Sequence, residues 1–123
     1  MAKRIMVVED DPLNMKLFRT LLELDGYEVV GVTTGEGALE AAVPREPDLI
    51  LMDIRLPGID GLATCARLKA DQRTAAIPVV ALTSYAMPGD EEKALKAGCI
   101  GYITKPITAE SFRASIARFV AER

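Results

Sequence analysis

Carboxylates, hydroxyls and one lysine follow the apolar segments of this chain, and these side chains are the candidates for chemistry. Acidic residues 9–11 follow one apolar run, Asp53 follows another, and Thr83, Ser84 and Lys105 follow two more. The chain has no histidine, which excludes Ser-His and Cys-His catalysis and most zinc sites. Any reaction must therefore use carboxylates, hydroxyls or lysine.

The acidic residues indicate a cation site. Carboxylates that lie close together repel one another and shift each other's pKa values unless a positive charge lies among them. An all-oxygen site suits Mg²⁺, which keeps several waters and takes one or two carboxylates plus phosphate oxygens. We therefore predict Mg²⁺ among these carboxylates, with Lys105 as a second positive charge that can pair with Asp53.

Asp53 is the candidate nucleophile, because the apolar run 49–52 before it is typical of a rigid buried strand. An aspartate can attack phosphorus and form an aspartyl phosphate, and such a transfer depends mainly on positioning and electrostatics. Thr83 would donate its hydroxyl to the phosphoryl oxygens. Taken singly, each residue has a plainer role: Asp53 in a turn, Thr83 at a strand end, and Lys105 on the surface.

The elements that must position these residues are five strands alternating with helices. The strands are the short apolar runs rich in β-branched residues, at 5–8, 28–32, 49–52, 79–82 and 100–104. Apolar residues at helical spacing between them are expected to be core, as in Leu17, Phe18, Leu21 and Leu22 and in Phe112, Ile116, Phe119 and Val120. Five βα units predict an α/β fold with a doubly wound parallel sheet, whose ligands bind at the carboxyl ends of the strands.

Capping residues support these boundaries. Asp11 before Pro12 is typical of a helix N-cap, which we favour over a ligand role for Asp11, and Gly26 and Gly98 are typical of helix ends.

Length and composition predict one globular domain spanning residues 1–123, with half of its residues hydrophobic and a net charge of −3. A chain with this net charge lacks the excess of lysine and arginine that nucleic-acid binding requires. No run is long enough for a signal peptide or a membrane span, which predicts a cytoplasmic protein in which Cys65 and Cys99 are free thiols. Because the chain ends with its fifth helix, the output is expected to be protein contact.

Four segments together resemble the receiver domain of two-component response regulators over essentially the whole chain: Val7-Val8-Glu9-Asp10, Leu51-Met52-Asp53-Ile54 with Pro57 and Gly61, Ala81-Leu82-Thr83, and Tyr102-Ile103-Thr104-Lys105-Pro106. The resemblance implies a flavodoxin-like sheet in the order 2-1-3-4-5, an order for which the chemotaxis member of this family is the standard example. Residues 8–18 and 86–92 further resemble single-domain regulators of the DivK type, which would imply cell-division control.

The resemblance also implies a role for each site residue. Asp53 would be the phosphoacceptor, and Mg²⁺, or Mn²⁺ in its place, would bind Asp10, Asp53 and the backbone carbonyl of Arg55 directly and Glu9 through water. Thr83 and Lys105 would contact the phosphoryl group, Tyr102 would turn inward when Thr83 moves, and Pro106 would be a cis proline. Glu9 stands where many relatives have aspartate. Relatives vary at the positions of Arg55, Ser84 and Tyr85, and the resemblance implies that these positions tune the lifetime of the phosphate.

The implied partners are a histidine kinase or a histidine phosphotransferase as donor and a downstream protein that binds the surface of helix 4, strand 5 and helix 5. The domain would not be a turnover enzyme, although it would support its own Mg²⁺-dependent phosphotransfer and slow dephosphorylation. Three alternatives remain. An FMN carrier conflicts with acidic residues 9–11, which would repel a phosphate, and a phosphohydrolase usually has an aspartate where Arg55 stands. A pseudo-receiver is disfavoured because the full set of site residues is present.

Overall fold

Strands and helices alternate along the chain, as the sequence predicts. The computed structural model describes residues 2–83, 88–104 and 108–121. The strands are β1 (Arg4–Val8), β2 (Glu28–Val32), β3 (Leu49–Asp53), β4 (Val79–Thr83) and β5 (Gly101–Thr104). The helices are α1 (Pro12–Leu24), α2 (Gly35–Arg45), α3 (Gly61–Ala70), α4 (Asp90–Lys96) and α5 (Ala109–Ala121). The strand boundaries agree with the predicted ones to within one residue.

The strands form one parallel sheet in the order β2-β1-β3-β4-β5, which confirms the predicted doubly wound fold. The central pairings place Val8 beside Met52 and Asp53 beside Leu82. All strands point the same way, so the residues that follow them gather at one edge of the sheet. That edge is where the sequence places the candidate site.

Alternate residues of each strand pack against helices on opposite faces of the sheet. One face carries Met6, Val8, Ile50, Met52, Val79 and Ala81 and packs against α2, α3 and α4. The other carries Ile5, Val7, Leu49, Leu51, Val80 and Leu82 and packs against α1 and α5, where the rings of Phe18 and Phe112 stack with their centroids 5.2 Å apart. Strands β1, β3 and β4 are therefore covered on both faces and hold the strand ends rigidly.

The predicted helix boundaries are confirmed. The Asp11 side chain accepts a hydrogen bond from the backbone N–H of Leu13, with Pro12 at the first helical position. Gly26 and Gly98 follow α1 and α4 with φ of 86° and 107°, a conformation that costs glycine little. The Asp11 cap fixes where α1 begins, directly after the acidic residues Glu9 and Asp10 that follow β1.

One predicted core residue is not in the core. Leu17 is 45% exposed, whereas Phe18, Leu21 and Leu22 are buried as expected. The apolar stripe of α1 is wider than the surface that the sheet and α5 can cover, so Leu17 lies on the solvent side together with Leu13, which is 78% exposed.

Cys65 and Cys99 are both free thiols, as the sequence predicts. Over the described ranges 2–83, 88–104 and 108–121, every helix is too short or too polar to cross a bilayer.

Candidate functional site

The sheet register brings the predicted site residues together. Glu9 directly follows the β1 residue that pairs with Met52, so it lies beside Asp53 at the end of β3. Thr83 ends β4, next to Asp53, and pairs in turn with Thr104 of β5. The acidic residues and the hydroxyl predicted from separate segments therefore share one edge.

Glu9, Asp10 and Asp53 form a compact acidic cluster. One carboxylate oxygen from each residue lies within 4.8 Å of the others. Glu9 is only 1% exposed and Asp53 only 6%, while Asp10 faces solvent. Ionised carboxylates are costly to bury without a compensating charge, and an all-oxygen donor set with one open side suits a hydrated divalent cation. The residues present therefore fit Mg²⁺.

Backbone hydrogen bonds fix the two buried carboxylates. The N–H of Asp11 donates to Oε2 of Glu9 at 3.1 Å, and the N–H of Arg55 donates to Oδ1 of Asp53 at 2.9 Å. The Asp11 side chain instead caps α1 and accepts from Leu13 at 2.9 Å, so its role is the cap that the sequence favours. Each buried carboxylate is thus held by the segment that follows its own strand.

Gly61 allows α3 to begin directly against the backbone of Asp53. A Cβ on Gly61 would lie 2.1 Å from the carbonyl oxygen of Asp53 and 2.6 Å from the Cα of Ile54. The Gly61 N–H also donates to the carbonyl of Ile54 at 3.3 Å. The glycine in the predicted motif is therefore required by close packing beneath the site, and φ at this position is not in the left-handed region.

We expect Gly61→Ala to lower the free energy of unfolding by about 3 kcal/mol, because neither backbone atom can move without shifting β3. Urea unfolding followed by circular dichroism measures the change. The matched control is Gly37→Ala in the first turn of α2, where the nearest atom to a new Cβ is the Thr34 Oγ1 at 3.1 Å. Thr34 is the N-cap of α2 and accepts from the Gly37 N–H at 2.9 Å, but its Oγ1 needs to shift by only a few tenths of an ångström, so the control is expected to stay within about 1 kcal/mol of the wild type. Equal stability of the two variants would show that the packing at Gly61 is looser than described.

Arg55 connects the site to α4. Its side chain donates to Oδ2 of Asp90 at 3.0 Å, and the Asp90 side chain is only 10% exposed while that of Arg55 is 49% exposed. Asp90 is the first residue of α4, where the N-cap, Gly89, provides no side-chain hydrogen bond. A partly buried, charge-assisted hydrogen bond of this kind is stronger than an exposed ion pair. The loop after β3 and the start of α4 are thus joined directly.

Thr83 and Tyr102 lie on the β4–β5 side of the site. Thr83 is completely buried, and Tyr102 is half-buried in β5. The Tyr102 hydroxyl is itself buried and, within the described residues, has no hydrogen-bond partner. Burial raises the pKa of Tyr102, Asp90 acts in the same direction, and Arg55 and Thr83 oppose it. The Thr83 hydroxyl is therefore near Tyr102 but outside hydrogen-bond geometry. A buried hydroxyl without a partner costs free energy.

Four of the residues singled out in the sequence, Ser84, Tyr85, Lys105 and Pro106, lie outside the described residues. The predicted site residues that the structure describes are therefore Glu9, Asp10, Asp53, Arg55, Thr83 and Tyr102.

Asp90 is the site residue that the sequence does not reveal. In the sequence it is one of three acidic residues in the first turn of α4, where negative charge is expected because it interacts favourably with the positive end of the helix dipole. Only the fold shows that it is buried and paired with Arg55, 35 positions earlier.

The fold and the acidic strand-end cluster are those of a receiver domain. The sequence model of the response regulator receiver domain matches residues 5–117, and this chain belongs to that family. It is the receiver domain of a two-component response regulator.

Individual relatives agree with this assignment. The polar-differentiation response regulator DivK of Brucella ovis is 47% identical over 122 residues, which cover 99% of each chain. Among solved structures, the receiver domain of the sensor histidine kinase PA1611 from Pseudomonas aeruginosa has a TM-score of 0.90 and 33% identity, with 98% of this chain and 99% of that chain covered. It was crystallised with a magnesium ion in its active-site cleft. The BeF3-activated receiver domain of Klebsiella pneumoniae RstA has a TM-score of 0.89 and 31% identity, with 96% and 98% covered.

Proposed function

We propose that Asp53 accepts a phosphoryl group and that the domain uses this modification as a signalling switch. The observation that carries the proposal is the acidic cluster, in which Asp53 is buried at the end of the central strand with Glu9 and Asp10 beside it. The receiver family to which the chain belongs supports this assignment. Residues 1–123 contain no histidine, so the phosphohistidine donor must lie outside them.

The reaction is a displacement at phosphorus. A carboxylate oxygen of Asp53 attacks the phosphoryl group, the bond between phosphorus and the donor's imidazole nitrogen breaks, and its electron pair returns to the imidazole. The hydrogen bond from the Arg55 N–H to Oδ1 orients the Asp53 carboxylate for this attack. The buried strand contributes by fixing the direction of attack.

Asp10, Asp53 and the backbone carbonyl of Arg55 would hold Mg²⁺ directly, or Mn²⁺ in its place, and Glu9 would act through water. The cation would neutralise charge on the transferring group. The spacing of the three carboxylates and the magnesium ion in the PA1611 receiver support this assignment. Hydrolysis of the product through the same site would give slow dephosphorylation, so the domain is a phosphoacceptor rather than a turnover enzyme.

Phosphorylation of Asp53 would add negative charge beside the end of β4 and near the start of α4. Thr83 would donate its hydroxyl to a phosphoryl oxygen and Lys105 would pair with another, drawing both inward. Tyr102 would then turn into the space that Thr83 vacates, which its unpartnered hydroxyl in the described structure supports. The new charge also competes with Asp90 for Arg55, which would alter the start of α4.

The proposed switch requires two kinds of partner, a donor of the phosphoryl group and a protein that responds to phosphorylation. A histidine kinase or a histidine phosphotransferase would supply the phosphoryl group, and a downstream protein would bind the α4-β5-α5 face. Leu95 and Ile100 are 52% and 47% exposed on that face and offer an apolar contact whose position the switch can change. Neither nucleic acid nor membrane insertion is part of this proposal, and we place the protein in the cytoplasm.

The name of the DivK relatives supports a role in cell polarity or division, since they align with 99% of this chain. Residues 1–123 would then act as one receiver unit whose output is a protein contact.

Transfer from a radiolabelled histidine kinase tests the function. We expect the label to move to this domain when Mg²⁺ is present, and chelation by EDTA to reduce the transfer rate by at least about tenfold. Mn²⁺ added to the chelated sample is expected to restore the rate. Transfer at full rate in EDTA would contradict the metal-dependent mechanism, and absence of transfer both from several kinases and from a low-molecular-weight acyl phosphate would contradict the phosphoacceptor function itself.

A further inference from the structure

The two cysteines lie against each other inside the domain, on the side of the sheet that carries α2, α3 and α4. Cys65 is on the buried face of α3 and is 0% exposed, and Cys99 lies between α4 and β5 and is 5% exposed. Their Sγ atoms are 3.5 Å apart although the residues are 34 positions apart in the sequence. The receiver chemistry at Asp53 uses neither thiol.

The two thiols have different environments. The S–H of Cys99 donates to the Cys65 sulfur, which lowers the pKa of Cys65, and the ammonium of Lys69 one turn further along α3 acts in the same direction, against the effect of burial. The same hydrogen bond and burial raise the pKa of Cys99. Cys65 is therefore the thiol that ionises first, and Cys99 keeps its proton beside it. This asymmetry is typical of an attacking thiol and its resolving partner.

Backbone contacts hold the pair in place on both sides. The N–H of Cys99 donates to the carbonyl of Ala94 at 3.0 Å, and the S–H of Cys65 lies 3.4 Å from the carbonyl of Ala97. Gly98, with φ of 107°, brings this turn against the side chain of Lys69. The turn between α4 and β5 therefore rests directly on α3, and the two sulfurs must approach by about 1.5 Å from their separation of 3.5 Å to reach the length of a disulfide bond.

We propose that Cys65 and Cys99 form a reversible intramolecular disulfide when the domain meets a hydroperoxide. The Cys65 thiolate attacks the peroxide, the O–O bond breaks, and Cys65 becomes a sulfenic acid while the departing oxygen leaves as water or an alcohol. Cys99 then attacks the Cys65 sulfur, the S–O bond breaks, water leaves, and the disulfide forms. Two thiols and one hydroperoxide thus give one disulfide, and a dithiol reductant reverses the reaction.

Access to the buried pair comes from local opening of α4. This helix has seven residues, and its N-cap lacks a side-chain hydrogen bond, so it belongs to the less stable parts of the fold. The reaction in the folded protein is therefore slower than that of an exposed thiol. Once formed, the bond ties α3 to the turn that precedes β5 and restrains the α4 end of the α4-β5-α5 face.

The test is oxidation of the folded, fully reduced protein with hydrogen peroxide, removal of the peroxide, alkylation with N-ethylmaleimide in urea so that buried thiols also react, and intact-mass measurement. We expect the loss of the mass of two hydrogens, disappearance of both alkylatable thiols, a monomer on a non-reducing gel, and recovery of both thiols with dithiothreitol. Peptide mapping should find the Cys65–Cys99 crosslink, and the oxidised protein should melt at a higher temperature than the reduced one.

Three results would overturn the proposal. In the first, both thiols stay reduced in the folded protein under peroxide conditions that oxidise the same thiols in urea. Another is a gain of oxygen atoms without loss of hydrogens, which denotes overoxidation of one cysteine. The third is a disulfide that joins two chains. Cys65→Ala and Cys99→Ala are the controls, because each should abolish the crosslink, and the wild-type measurement stands even if one variant folds poorly.

Discussion

Asp53→Asn is expected to reduce phosphoryl transfer to this domain to background, a loss of at least about 100-fold, because an amide oxygen is a very poor nucleophile toward phosphorus. The substitution is nearly isosteric, and the asparagine Oδ1 can still accept the hydrogen bond from the Arg55 N–H. It also removes one charge from the cluster with Glu9 and Asp10, so the folded domain is expected to be at least as stable as the wild type. Label transfer and urea unfolding measure the two effects separately.

The matched control is Asp60→Asn. Asp60 caps α3 by accepting from the backbone N–H of Ala63 at 2.8 Å, and asparagine caps helices about as well as aspartate. Both variants remove one carboxylate from the region around α3, but only the first removes the proposed nucleophile. Retention of the wild-type label by Asp53→Asn would contradict its assignment.

Asp10→Asn is expected to raise the Mg²⁺ concentration needed for half-maximal phosphorylation by at least about tenfold. Asp10 is the solvent-facing member of the acidic cluster, so one of its oxygens can replace a water bound to the cation without a rearrangement of the core. Because its side chain is exposed, the change should hardly affect stability. The measurement is a Mg²⁺ titration of the initial rate with an acyl phosphate donor.

Asp11→Asn provides a control one residue away. The Asp11 side chain caps α1 and lies outside the acidic cluster, and asparagine preserves that cap. We expect its Mg²⁺ dependence to match the wild type to within about twofold, because only long-range charge changes. An equal shift in both variants would show that the effect comes from net charge near the site and not from coordination by Asp10.

Most of this fold could be predicted because its signals are local. Five apolar strands, the cap at Asp11 and the glycines at helix ends each depend on neighbouring residues, and a parallel sheet then brings all the strand ends to one edge. Glu9, Asp10 and Asp53 could be placed together for that reason.

What the sequence could not show depends on contacts between distant segments. The ion pair of Arg55 with Asp90 and the contact of Cys65 with Cys99 each join residues about 35 positions apart, and neither type of pair has a spacing signal. The exposure of Leu17 was missed for a related reason, since the apolar pattern of α1 does not say how much of it the neighbouring elements cover.

The position of the phosphoryl group is the most direct test of the account. The wild-type domain is phosphorylated in Mg²⁺, and the acyl phosphate is then reduced with sodium borohydride, which converts a phosphorylated aspartate to homoserine. Peptide mass spectrometry should find homoserine at position 53 and unmodified aspartate at positions 10 and 11. Homoserine at another carboxylate, or a phosphoryl group that resists borohydride because it sits on a hydroxyl, would contradict the proposal that Asp53 is the phosphoacceptor.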